Sequence, residues 1–175
     1  MRTILFIFLF VQVLTFSVHS QCSEITKIPY TDGSYGEYKG CLNDSGKPSG
    51  IGFLKTDDFT KDGEWESGKL NGQAKLISLK DNFTYEGLWK DGKLINGNYM
   101  LISDDASIKY KGDFENFKFQ GQGVLEIFNP DYSIIKEGEF FNNDLFEGKS
   151  LVVWNNGLTI DSFIDRGKVI SEKRN

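Results

Sequence analysis

Histidine occurs once in this chain, at His19, within the apolar amino-terminal stretch. Its absence elsewhere removes Ser-His-Asp and Cys-His nucleophile systems, the commonest general base and most zinc sites. No Gly-x-x-x-x-Gly-Lys-Ser/Thr loop is present to cradle a phosphate. The Gly-x-Gly pairs lie in strand-like stretches and open no helix, so they are not dinucleotide fingerprints. Helical periodicity is missing from Tyr38 onward. Basic residues form no run: they are scattered among acids, as in Lys90-Asp91, Lys111-Gly112-Asp113 and Lys136-Glu137. Stacking single-stranded nucleic acid on aromatics needs a basic track, so no nucleic-acid partner is expected.

The apolar run Ile4 to Phe16 is 13 residues long, short of the roughly 20 that span a bilayer. Arg2 precedes it and Val18-His19-Ser20 offers tolerated residues at −3 and −1. Residues 1–20 therefore read as a signal peptide cleaved before Gln21, which places the protein in the secretory pathway, extracellular or lumenal. Cleavage removes Arg2 and no acid, so 20 basic residues become 19 against 25 acidic ones and the net charge moves from −5 to −6. It also removes the histidine.

Cysteine is scarce, with Cys22 and Cys41 alone. In a secreted chain an even count predicts a bridge, which would tie an amino-terminal arm, residues 21–37, to the repeat region beyond it. Two distant thiols do not make a metal site, and no cofactor is expected. Asp32-Gly33-Ser34 reads as a turn in this arm, with Tyr30 and Tyr35 placed to cover the open first edge of a sheet.

Glycine is abundant, 19 residues, and its spacing is regular. In Tyr85 to Leu101 (YEGLWKDGKLINGNYML), Tyr85, Gly87 and Trp89 share one face of an extended strand. Asp91-Gly92 is a hairpin turn, and Gly97, Tyr99 and Leu101 alternate on the return. The first-strand glycine recurs as Gly40, Gly63, Gly87, Gly112 and Gly138, with Ser162 in the sixth place, at intervals of 23, 24, 25, 26 and 24 residues. The return strand suggests a second column, Gly50, Gly72, Gly97, Gly121 and Gly148. Glycine inside a strand marks close approach of another group, here a ring from the facing strand or next repeat. Single hairpins bury too little to be stable, and stacked ones share a continuous core.

The pattern resembles the MORN (membrane occupation and recognition nexus) repeat, roughly Y-x-G-x-W/F-x-x-G-x-x-x-G-x-G. The matches are Tyr85-Gly87-Trp89-Gly92-Gly97, Tyr38-Gly40-Gly46-Gly50-Gly52 and Tyr110-Gly112-Phe114-Gly121-Gly123. Lys61 and Lys136 replace the tyrosine, and Phe117 and Asn143 the turn glycine. The expected fold is all-β: an elongated, twisted, single-layer sheet of consecutive antiparallel hairpins over residues 38–170. Five hairpins are full and the sixth is a degenerate cap, followed by a charged tail, residues 171–175. The resemblance implies protein–protein scaffolding and, for some members, contact with phospholipid.

Paired carboxylates are the remaining catalytic option: Asp57-Asp58, Asp104-Asp105, Glu64 with Glu66, and Glu137 with Glu139. A glycosidase needs a cleft that holds two of them across a bond, which a single layer does not supply. The reading is a non-enzymatic secreted scaffold that binds a protein partner through the aromatic face, with Tyr38, Tyr85, Trp89, Tyr110 and Phe114 as contacts. A phospholipid-binding module is the alternative and a small carboxylate hydrolase the second alternative. The lipid reading is opposed by acids on the face away from the rings, because anionic membranes attract basic segments. Self-association stays open. Asn43-Asp44-Ser45 and Asn82-Phe83-Thr84 are glycosylation sequons in loops.

Overall fold

A computed structural model of the chain describes residues 22–29 and 35–175; the leader-like segment and the Asp32-Gly33-Ser34 turn lie outside them. The described residues form one 13-stranded antiparallel sheet in which sequence order is spatial order. The strands are β1 (Cys22–Pro29), β2 (Tyr35–Leu42), β3 (Pro48–Lys55), β4 (Phe59–Glu66), β5 (Lys69–Ser78), β6 (Phe83–Lys90) and β7 (Lys93–Ile102). They continue as β8 (Ser107–Glu115), β9 (Lys118–Phe128), β10 (Tyr132–Phe141), β11 (Asp144–Trp154), β12 (Thr159–Asp165) and β13 (Lys168–Arg174). The six hairpins are thus β2–β3 through β12–β13, with β1 added at one edge.

Five of the turns between hairpin strands are two residues long with φ > 0 at both: Ser67-Gly68, Asp91-Gly92, Asn116-Phe117, Asn142-Asn143 and Arg166-Gly167. This is the mirror-image turn whose twist matches that of the flanking strands. Glycine, asparagine and aspartate tolerate it. Phe117, at φ 62°, does so against the preference of a bulky residue.

Register explains the glycine periodicity. Gly40, Gly52, Gly63, Ala74, Gly87, Gly97, Gly112, Gly123, Gly138 and Gly148 are cross-strand neighbours, one per strand from β2 to β11. They make a shallow channel of backbone across the sheet, and rings lie in it. The Trp65 indole donates to the Gly52 carbonyl at 2.8 Å and the Trp89 indole to the Ala74 carbonyl at 2.9 Å. A buried indole that satisfies its N–H in this way adds apolar burial at no polar cost.

Three expectations are corrected by this register. Gly50, Gly72 and Gly121 are outside the row: they occupy bulges with positive φ, while Gly97 and Gly148 lie in the row itself. The sixth place in the row is Ile164, opposite Gly148, and Ser162 lies two positions away, opposite Ser150. The chain after Ile170 is no free tail, since Ser171 to Arg174 pair with β12. At the first edge the cover is a strand, β1, paired to β2. Tyr35 is largely exposed, and Tyr30 lies outside the described residues.

Candidate interaction surface

A single layer has two faces, and they differ. The core face carries Tyr38, Leu54, Trp65, Leu70, Trp89, Leu94, Tyr110, Phe114, Leu125, Phe140 and Leu145, all buried. The described residues form no second sheet above them, and the cover comes from the next hairpin, whose tip bends back over its predecessor. Gly68 donates its N–H to the Pro48 carbonyl at 2.8 Å, Gly92 to Leu70 at 2.9 Å, Asn143 to Phe119 at 3.1 Å and Gly167 to Phe146 at 2.8 Å. In the fourth hairpin the tip residue Phe117 packs on Tyr85 and Trp89, with ring centres 5.4 and 5.8 Å apart. The contact gives a reason for an aromatic side chain where the turn favours glycine.

Rings pack on one another along the same face. Tyr110 and Phe119 stack with centroids 3.9 Å apart, and Phe114 and Phe140 meet Tyr110 edge-on. Burial pushes the Tyr110 and Tyr85 phenols up to about 12; the Asp113 charge adds to this at Tyr110, and Tyr99 adds to it at Tyr85. The Tyr110 hydroxyl donates toward the Asp113 and Gln120 carbonyls at 3.2 and 3.3 Å, and that of Tyr38 toward Cys41 at 3.3 Å.

These positions correct the expected contact set. Tyr38, Trp89, Tyr110 and Phe114 are core residues, between 0% and 5% exposed, and Tyr85 is half-buried. They fill the space between hairpins and expose little surface to solvent. The reason given for the glycines changes as well. A Cβ on Gly87 would overlap the Asn96 carbonyl oxygen and lie 2.6 Å from Gly97 Cα, so the facing backbone excludes it. At Gly40, Gly52, Gly112 and Gly123 a tyrosine ring also does so, that of Tyr38 or Tyr110. At Gly63 and Gly138 the obstacle is the neighbouring strand.

The outer face holds the opposite pattern. Ile51, Phe53, Ile77, Leu88, Met100, Ile102, Phe128, Ile135 and Phe163 are 36–69% exposed on it. Charges alternate with them. Lys75 and Glu86 pair across β5–β6 at 3.2 Å, and the Lys109 and Lys149 ammonium groups lie 6.0 and 5.6 Å from the Phe128 and Phe163 ring centres. Two hollows are open on this face. One, of about 580 Å³, is bounded by Lys75, Glu86, Asn98, Met100, Lys111 and Glu126. The other, of about 570 Å³, is bounded by Glu137, Lys149, Leu151, Asp161, Phe163 and Lys173. The mixing of apolar and charged residues along both strands of the hairpins hid this surface from sequence reasoning, because it reads as ordinary solvated positions.

Cys22 and Cys41 stand directly opposite one another on β1 and β2, with their sulfurs at disulfide distance. Of the sequon residues, Asn82 is exposed in the β5–β6 connection, whereas Asn43 closes a turn, its Oδ1 accepting from the Ser45 and Lys47 amides at 3.1 and 3.0 Å. Of the paired carboxylates, Glu64 accepts from the Gln73 amide at 3.0 Å and Glu66 from the Asn71 side chain. Asp57, Asp58, Asp104 and Asp105 are in loops, all four exposed. Among the described residues no three histidine, cysteine, aspartate or glutamate side chains gather as a metal site, and no helix is long and apolar enough to cross a membrane. No protein-family model matches the chain, and no curated protein matches it.

Proposed function

We propose that the protein is a non-enzymatic interaction scaffold of the secretory pathway, built on MORN-like repeats, that presents its open sheet to a protein partner. The observation that carries this reading is the uncovered outer face, whose large apolar side chains remain exposed among charges because the described residues form a single layer. Exposed apolar area beyond isolated residues marks interaction surfaces. The contact residues are those of the outer face, Leu88 and Met100 at its centre, in place of the buried rings. An oxidised Cys22–Cys41 pair fits an oxidising compartment, and Asn82 is the sequon residue open to glycosyl transfer. The acids Glu64, Glu66, Glu137 and Glu139, exposed on the same face, oppose docking to anionic lipid.

The test is affinity capture with the tagged mature protein from its own secretory compartment or medium, beside a Leu88→Glu/Met100→Glu variant. A partner retained by the wild type and lost by the variant, with thermal melting unchanged, is the expected result. Equal capture by both would place the contact elsewhere. Micromolar or tighter sedimentation with phosphoinositide-containing liposomes would favour the lipid reading.

A further inference from the structure

We propose that a third cavity, on the core face near the amino-terminal edge, binds an organic monoanion: a carboxylate carried on an aliphatic or aromatic body. The cavity measures about 550 Å³ and lies between β1, the β2–β3 turn and the β4–β5 hairpin. This is within the range of small-molecule sites, which are mainly apolar with a few placed polar groups. Leu54 and Trp65 supply apolar wall, Lys61 lines the interior, and Lys27, Lys47 and Lys69 stand at the exposed rim. No described acidic residue lines it, although the chain as a whole carries a net charge of −5.

Lys61 is the anomaly that points to a ligand. It occupies the cross-strand row that otherwise holds Tyr38, Leu54, Leu76, Tyr85, Tyr99, Tyr110, Leu125 and a second lysine, Lys136; Lys136 stands between Leu125 and Ser150, whereas Lys61 has Leu54 and Leu76 directly beside it. A tyrosine or phenylalanine there would continue the core. The chain instead holds an ammonium group in apolar surroundings, half-buried and without an ion pair among the described residues. Burial alone lowers its pKa. The Phe59 ring, 4.7 Å from Nζ, stabilises the cation in part, but a desolvated charge remains costly until an opposite charge meets it. One interior ammonium matches one negative charge. The apolar walls accept the body of the ligand, and the rim lysines favour the approach of an anion.

Chain-matched probes test this directly: dodecanoate, dodecanol and dodecylammonium, each below its micellar concentration, titrated into the full mature protein by calorimetry and tryptophan fluorescence. Dodecanoate should bind at micromolar concentration, at least about tenfold more tightly than either of the others. Lys61→Met should lose about tenfold or more of that affinity, and Lys61→Arg should keep most of it. Because Lys47 and Lys69 are exposed, Lys47→Glu/Lys69→Glu leaves the fold intact and should weaken dodecanoate by a similar factor. Vesicles of phosphatidylcholine with phosphatidylserine should not sediment the protein. Binding that ignores the head group, binding by Lys61→Met equal to wild type, or vesicle sedimentation unaffected by Lys61→Met would each overturn the site.

Discussion

The third hairpin, β6–β7, and the sixth, β12–β13, are built from similar strands, yet Trp89 and Leu94 of the third are at most 2% exposed while no residue of the sixth is buried. The difference lies in the roof. The third hairpin is covered by the tip of the fourth, where Phe117 lies on Trp89 and Tyr85. The sixth has no such cover among the described residues. In the same place the glycine row ends, because with no further tip to press a ring onto the backbone, Ile164 can carry a side chain opposite Gly148. A hairpin here is therefore made stable by its successor, the nearest-neighbour logic of repeat proteins.

The largest expected effect falls at the roofed hairpin. Trp89→Ala should cost about 3–5 kcal/mol, the usual loss for a large buried aromatic, read by chemical denaturation. A loss under about 1 kcal/mol would mean that the ring is not a core element. Breaking the Cys22–Cys41 link, which closes a separation of 19 residues, should cost roughly 3 kcal/mol in the loop-entropy model. Iodoacetamide labelling of both thiols in native, non-reduced protein would show that the link does not form.

Gly87→Val should destabilise by roughly 1–3 kcal/mol, since the new side chain meets the β7 backbone; a change within about 0.5 kcal/mol would refute close approach in the row. Alkali acts next. Tyr85 and Tyr110 have folded pKa values raised to about 12 from 10, so the native state holds protons that the unfolded state releases. Their stabilising effect is complete below pH 10 and is lost as pH rises toward 12, on the order of 1 kcal/mol after solvent screening. Denaturation midpoints that stay level over this window would contradict that burial. The smallest effect is at the unroofed hairpin: Phe163→Ala should move stability by no more than about 0.5 kcal/mol.

Strand positions and turns were legible from Tyr85-Gly87-Trp89 and its copies because a period of two and Asp-Gly chemistry are local properties. The return-strand row was not. Its glycine comes six residues after the turn in Gly46 to Gly52 and Gly68 to Ala74, but five after it in Gly92 to Gly97 and Asn143 to Gly148. The difference is a longer bulge that places Gly50, Gly72 and Gly121 at positive φ, and a bulge is decided by pairing, which spacing alone does not reveal. The burial of the aromatic column was not legible for a related reason. An aromatic column looks the same in sequence whether it is open or roofed, and the roof is formed by hydrogen bonds such as Gly92 to Leu70 between hairpins. The outer-face residues Leu88 and Met100 carry no periodic mark beyond alternation.

The claim that each hairpin is stabilised by its successor is tested most directly by ending the chain after Asn156, which removes β12 and β13 and leaves β11 whole. Native-state hydrogen exchange, compared residue by residue with the full-length protein, should then show protection lost in β10 and β11, around Phe140 and Leu145, while the amides of β4 to β7 exchange as before. Unchanged protection in β10 and β11 would show that the tip at Arg166-Gly167 stabilises nothing, and loss of protection throughout the sheet would show that stability is global and not passed between neighbours.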